Sequence, residues 1–270
     1  MNSIRLIVTD LDGTLLNPKG MVSEETKKAL ALAREKGIVT AACSGRYCEN
    51  VSLLFLDNGL SGPVIGSNGA QMMDRPLGQM IRSHYIAPDR AMQVRYTLDD
   101  MGTDYFIFAD NRVVSSREDA HHHSEISMGE RIVSRSGIRF THGPEAVDEA
   151  IGRGVYKFFI CNNGELDDTR EVLRTIPGTV VTRSTPWNLE MMAEGIDKGT
   201  GLSELCACLD IPLSETMAFG DQENDLPMLQ IAGMGVAMGN AETKVLEKAS
   251  WHTLSNAEDG VAVMIRRVIG

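Results

Sequence analysis

No apolar run in this chain of 270 residues approaches the roughly 20 residues of a membrane span. The N-terminus enters a strand-like segment directly, without a basic-then-apolar leader. The expectation is a cytoplasmic protein with no membrane partner. Basic residues are short, with 26 Lys and Arg against 37 Asp and Glu and a net charge of −11. That balance favours solubility and leaves no basic face for duplex nucleic acid. A small anionic ligand is still possible, because local charge decides its binding. Cysteine is sparse: Cys43, Cys48, Cys161, Cys206 and Cys208 are odd in number and fit no zinc spacing. Reduced, mostly buried thiols are expected. There is no internal repeat, no low-complexity segment and no evident obligate protein partner.

What is present suits a globular α/β chain, long enough for one large or two moderate domains. "RLIVTD" is apolar without alternation, as in a strand buried on both faces. "SEETKKALALAREKG" follows as a helix, with Ser23 as N-cap, Glu24 and Glu25 in the first turn and Gly37 as stop. "IVTAACSG" and "PVIGSNGA" are further buried strands, so the first 70 residues alternate strand and helix as in a doubly wound, Rossmann-like parallel sheet. The tail repeats that pattern through "GTGLSELCACLDI", "TMAFGD", "NDLPMLQIAG", "GMGVAMGN", "AETKVLEKAS" and "GVAVMIRRVI". The middle reads differently, with a hairpin-like "DYFIFADNRVVS", a His- and Glu-containing helix, "YKFFICNNG", a helix through "ELDDTREVLRTI", and "GTVVTRST". A mixed or antiparallel sheet is expected there. The expected organisation is a core of residues 1–83 and 187–270, with an α/β domain of residues 84–186 inserted into it.

Open parallel sheets bind ligands at the carboxyl ends of their strands. Four segments deliver polar residues to that edge: Asp10 and Asp12, Ser44 and Gly45, Lys198, and Asp221 with Asn224 and Asp225. Two acids one residue apart are costly to ionise together unless something binds against them. Asp10 and Asp221, with Asp225 as a further candidate, form an oxygen-rich pocket suited to Mg²⁺. Ser44, Lys198 and the N–H groups near Leu11 and Gly45 supply donors and positive charge for a phosphoryl group. Asp10 can then serve as nucleophile and Asp12 as general acid and base.

The motifs "DLDGTLL", "CSGR", "DKGTGL" and "GDQENDLPML" resemble, in order and spacing, those of the haloacid dehalogenase (HAD) superfamily. "SNGA", "AMGNA" and "NAEDGVA" resemble more closely its Cof-type phosphatase branch. The resemblance implies a Mg²⁺-dependent hydrolase of small phosphorylated metabolites with an aspartyl-phosphate intermediate. Asp10 matches the nucleophile, Asp12 the general acid/base, Ser44 the phosphate-binding hydroxyl and Lys198 the phosphate-stabilising lysine. Asp221 matches a metal ligand, and Asp12 supplies a backbone carbonyl to the same metal. Asn224 looks like a phosphate contact, and Asp225 like an acid supporting the metal site. The insertion resembles the family's α/β cap. Ser44 stands where threonine is commoner, with the same hydroxyl. A phosphomutase of the same superfamily is the nearest alternative. A non-catalytic phosphometabolite sensor is another, although such a relative should have lost Asp10, Asp12, Lys198 or Asp221. A dehalogenase would not need the metal-binding acids.

Several residues have plainer readings. Isolated acids such as Asp10 and Asp12 often cap a helix or close a turn. A lone serine such as Ser44 is usually a turn hydroxyl, and a lone lysine such as Lys198 is usually solvated. Asp225 is expected both to cap the helix beginning at Leu226 and to orient the metal site. Thr14 is read as closing the loop after the nucleophile. His121, His122 and His123 are consecutive, so on a helix they spread around its axis and do not converge on one ion. The methionines read as core filler. Arg46 is left open between a substrate contact and an acid partner. Arg183, Trp187 and Asn188 are read as linker packing near the return to the core, and Glu190 as the partner of a cation.

Overall fold

A computed structural model describes residues 3–110, 112–117, 139–161, 166–183 and 188–270. The helix expected around His121–His123 and the side chain of Trp187 lie outside those residues. The chain forms two compact units, Met1–Arg82 with Asp197–Gly270, and Ser83–Ile196.

The first unit opens with β1 (Leu6–Thr9), α1 (Glu24–Glu35), β2 (Val39–Cys43), α2 (Cys48–Asp57), β3 (Val64–Gly66), β4 (Gln71–Met73) and β5 (Met80–Ser83, which ends at the border of the second unit). In the second unit follow α3 (Pro88–Asp100), β6 (Tyr105–Ala109), β7 (Arg112–Ser115), β8 (Arg139–His142), α4 (Pro144–Arg153), β9 (Val155–Cys161), α5 (Asp167–Leu173), β10 (Thr179–Thr182) and β11 (Asn188–Ala193). The chain returns to the first unit with α6 (Lys198–Leu209), β12 (Thr216–Gly220), α7 (Leu226–Ile231), β13 (Met234–Ala237), α8 (Thr243–Lys248), β14 (Trp251–His252) and α9 (Gly260–Ile269).

The first sheet has the order β14-β13-β12-β1-β2-β3-β4-β5. Its strands from β14 to β3 run parallel, and β4 turns back antiparallel against β3. Alternate residues of β1 feed opposite layers, as strand geometry requires. Ile7 joins Ala29 of α1, Val51 of α2 and Ile265 of α9 in one core. Leu6 and Val8 join Leu202 and Leu205 of α6, Met228 of α7 and Val245 of α8 in the other. This is the doubly wound sheet that the alternating pattern implied. The local signals act as read: the Ser23 hydroxyl accepts from the Thr26 N–H at 3.1 Å, and Gly37 takes a positive φ after α1. The short strands β4 and β5, the latter at the sheet's edge, were not anticipated, because neither has a long apolar run.

The second unit has a six-stranded sheet of order β10-β11-β9-β6-β7-β8, antiparallel except for the β7–β8 pair. One face carries Tyr105, Ile107, Phe158, Ile160, Leu189 and Met191 into a core with Val94 and Leu98 of α3 and Val147 and Ile151 of α4. The expected border near 184–188 falls too early. Strand β11 pairs with both β9 and β10, and its Leu189 and Met191 are buried in this core, so the unit runs to Ile196. Asn188 is therefore a strand residue opposite Cys161 rather than a linker. Arg183 donates to Asp167 at 3.0 Å. No helix among the described residues is long and apolar enough to cross a membrane.

Candidate active site

The carboxyl ends of β1, β2 and β12 and the start of α6 bring the expected residues together in the first unit. Asp10 follows β1, and its backbone N–H donates to the Phe219 carbonyl of β12 at 3.0 Å. Lys198 is the first residue of α6, whose N-cap Asp197 accepts from the Thr200 N–H at 2.8 Å. The cap fixes the backbone from which Lys198 projects. The Lys198 ammonium, 1% exposed, donates to Asp10 Oδ1 at 2.7 Å and to Asp225 Oδ1 at 2.6 Å.

Carboxylate oxygens of Asp10, Asp221 and Asp225 come within 4.8 Å of one another, and all three residues are buried. Burial raises Asp10 well above the ordinary carboxylate range, with Lys198 opposing and Asp225, Asp221 and Asp12 adding to the rise. Burial, then Asp225, raises Asp221 to about 7. Burial works against the charge on Lys198, but Asp10 and Asp225 outweigh it and raise its pKa. Three carboxylates around one ammonium would carry two surplus negative charges if all were ionised, and the raised Asp10 and Asp221 reflect what that excess costs in a dry site. Hard oxygen donors with that excess fit a divalent cation such as Mg²⁺.

Both Asp225 oxygens are engaged, Oδ1 by Lys198 and Oδ2 by the Asp221 and Gln222 N–H groups at 2.9 Å. Asp225 therefore braces the cluster, and Asp221 is itself held, by Thr14 at Oδ1 and by Gln222 Nε2 at Oδ2, 3.4 Å away. The Asp225 carboxylate bonds backward and makes no cap bond to α7, contrary to the capping expected of it. Pro227 sits in the first turn of α7, where its missing N–H costs nothing.

Thr14 does more than close a loop, because its hydroxyl donates to Asp221 Oδ1 at 2.7 Å. Between them Gly13 has φ +80°, and a Cβ there would lie 2.2 Å from Asp221 Oδ2. The Gly13 carbonyl is in turn held by Asn240 Nδ2 at 2.8 Å. Asn240 lies in "AMGNA", after the carboxyl end of β13. The same edge rule that found Asp10 would have found it.

Asp12 has a different environment from Asp10. Its side chain is 58% exposed and is gripped by Arg46, whose Nε and Nη2 donate to the two oxygens at 2.7 and 2.6 Å. One carboxylate is thus dry and lysine-bound while the other is wet and arginine-bound. Ser44 is buried at the end of β2, and its Oγ accepts from the Arg46 N–H at 3.2 Å. Gly45 lies between them. Leu11 is fully buried, its carbonyl accepting from the Thr14 and Leu16 N–H groups. Asn224 is buried, and its Nδ2 donates to Asn68 Oδ1 at 3.1 Å. Asn68 belongs to "SNGA", which carried the resemblance without a role of its own.

The sequence profile of the haloacid dehalogenase-like hydrolases matches residues 7–265. The 5-amino-6-(5-phospho-D-ribitylamino)uracil phosphatase YcsE of Bacillus subtilis is 30% identical over 263 residues, spanning 97% of this chain and 95% of its own. The phosphatase YwpJ of the same organism is 30% identical, spanning 98% of this chain and 100% of its own. The solved structure of a haloacid dehalogenase-like hydrolase from B. subtilis is 29% identical, with a TM-score of 0.86 over 98% of this chain and 100% of that one. With the acids, the lysine and the sheet edge arranged as above, the chain belongs to the haloacid dehalogenase-like hydrolases, in their Cof-type phosphatase branch.

Proposed function

We propose that this phosphomonoester hydrolase acts on small phosphorylated metabolites in the cytoplasm, with Mg²⁺ as cofactor and Asp10 as the residue that carries the phosphoryl group. The observation that carries the reading is the site's uncompensated charge: Asp10, Asp221 and Asp225 around Lys198 alone. Asp10, Asp221 and the main-chain carbonyl of Asp12 are the proposed metal ligands. When bound, the cation neutralises charge on the phosphoryl oxygens.

In the first half-reaction the Asp10 carboxylate attacks phosphorus as the ester P–O bond breaks, and Asp12 protonates the departing alkoxide. In the second, Asp12 takes a proton from water, which attacks the acyl phosphate and releases phosphate and Asp10. Lys198, Ser44, Asn224 and the N–H groups of Leu11 and Gly45 are assigned to the phosphoryl oxygens. Monoester hydrolysis needs accelerations of up to about 10²¹. General acid–base help supplies only about 10² to 10⁴. The rest falls to electrostatics and positioning.

The second unit is read as the cap that selects the leaving group. The substrate class is supported by relatives, among them YcsE and the pyridoxal phosphate phosphatase YbhA of Escherichia coli, 26% identical. Cysteines that are mostly buried, with no disulfide among the described residues, suit a reducing compartment. The test is phosphate release from a panel of phosphorylated metabolites with Mg²⁺ or with EDTA, for wild type and Asp10→Asn. Release that needs Mg²⁺ and vanishes in Asp10→Asn is expected. Release unchanged by EDTA or by Asp10→Asn would overturn the reading.

A further inference from the structure

Between β3 and β4, Ser67, Asn68 and Gly69 have φ of +48°, +54° and +101° in succession. Non-glycine residues adopt such angles only where the surroundings enforce them, and Asn tolerates them better than most. The surroundings are three separate pieces of the site. The Ser67 N–H donates to the Arg46 carbonyl at 2.7 Å, and the Asn68 N–H to the Ser44 carbonyl at 3.0 Å. Through Asn68 Oδ1 the turn also receives Asn224 Nδ2. Gly69 meets the third piece: a Cβ there would lie 2.2 Å from the Asp197 carbonyl, at the cap of the helix that begins with Lys198.

The amide of Asn224 has its own unmet demand. Its Oδ1 is buried and has no partner among the described residues, so its orientation depends on the bond at Nδ2. An amide has two faces of similar shape and opposite polarity, and a turned amide would present an acceptor where a donor is needed. Asn68 pins one end of it.

We propose that Asn68 is a positioning residue, whose carboxamide holds the Asn224 amide in register. It acts on phosphate through Asn224, and so rests on the reading of Asn224 as a phosphate contact. Its carboxamide, not its backbone, carries that role. Asn68→Gly therefore separates the two, because glycine keeps the left-handed turn and removes only the amide.

The test is a double-mutant cycle with inorganic phosphate as the probe, titrated by calorimetry in Mg²⁺ for wild type, Asn68→Gly, Asn224→Ala and the double variant. Asn68→Gly should weaken phosphate binding about 3- to 10-fold, the worth of one hydrogen bond, with the circular dichroism of the folded protein unchanged. The double variant should bind no more weakly than Asn224→Ala. Additive losses, or full affinity in Asn68→Gly where Asn224→Ala is weakened, would overturn the proposal. Full affinity in Asn224→Ala would overturn it as well, since there would be no contact to position. The hydrolase reading is judged separately, by loss of phosphate release in Asp10→Asn.

Discussion

Each unit buries one lysine almost completely, and the two solve the problem of a buried charge in different ways. Lys157 on β9 is 2% exposed and donates to the acid Glu190 on β11 at 2.9 Å. The rings of Phe108 and Phe159 lie 4.6 and 5.4 Å from its ammonium. That charge is matched one to one, with aromatic faces adding attraction. Lys198 faces two acids with a third beside them, and the count does not close. A matched pair is complete as it stands, whereas an unmatched cluster is completed by what it binds. The same residue type at the same burial thus marks packing in one unit and chemistry in the other.

Replacing the charged groups of the unmatched site should produce the largest effects. Asp10→Asn should abolish turnover of every substrate, and Lys198→Met should lower kcat by about 10² to 10³, the usual cost of removing one electrostatic stabiliser. Both are read by steady-state phosphate release. If Lys198→Met kept full activity, the two lysines would be equivalent after all.

The matched pair should respond in stability. Lys157→Met takes from the buried Glu190 the ammonium bonded to it, which costs about 3–5 kcal/mol. Removing both charges in Lys157→Met with Glu190→Met should recover most of that. Urea unfolding of the single and double variants measures the difference. A double variant as unstable as the single one would show that Lys157 is held by more than its acid.

Arg46 sharpens the comparison from the exposed side of the site. Arg46→Lys keeps the charge but loses the two-pronged grip on Asp12. Turnover of alkyl phosphates, whose leaving oxygen needs a proton, should fall about tenfold, short of the 10² to 10⁴ that general acid catalysis supplies because Asp12 itself is kept. Turnover of p-nitrophenyl phosphate, with a stable leaving anion, should fall much less. Equal losses on both would mean that Arg46 does not act through Asp12.

The smallest effect expected is on the metal-free protein. Burial raises both Asp10 and Asp221, the latter from 3.8 to about 7. Below about pH 4 an unfolded aspartate also holds its proton. Between there and about 7 the folded state binds protons that the unfolded state does not. Stability in EDTA should therefore fall as pH rises through that window. Mg²⁺, proposed to bind the ionised acids, should protect more at pH 8 than at pH 5. Thermal midpoints in the two buffers check the sign, at about 2–4 °C for each kcal/mol in a chain near this size.

Residues at strand ends were legible because a local rule places them. Asp10, Ser44 and Asp221 each follow a buried strand, and Lys198 follows its own N-cap. Partnership was less legible. Nothing near Asp225 shows that it bonds backward to Asp221 and Gln222 rather than forward to α7. The open question over Arg46 closed only when the fold brought Asp12 to it across 34 positions. Strand β11 has the apolar content of either sheet, and only its packing of Leu189 and Met191 assigns it. Asn68 was visible as part of a motif, but its partner lies 156 residues away.

The position of β1 between β2 and β12 has a consequence for synthesis. Its partner on one side is made within the first 43 residues, whereas the partner on the other ends at Gly220. At a synthesis rate of about 5–20 residues per second, that gap keeps β1 half-paired for roughly 10–40 s. Asp10 waits equally long for Lys198 and Asp221. A ribosome-bound chain therefore completes its second unit before it has a catalytic site, and until then the middle strand of the finished sheet is an exposed edge.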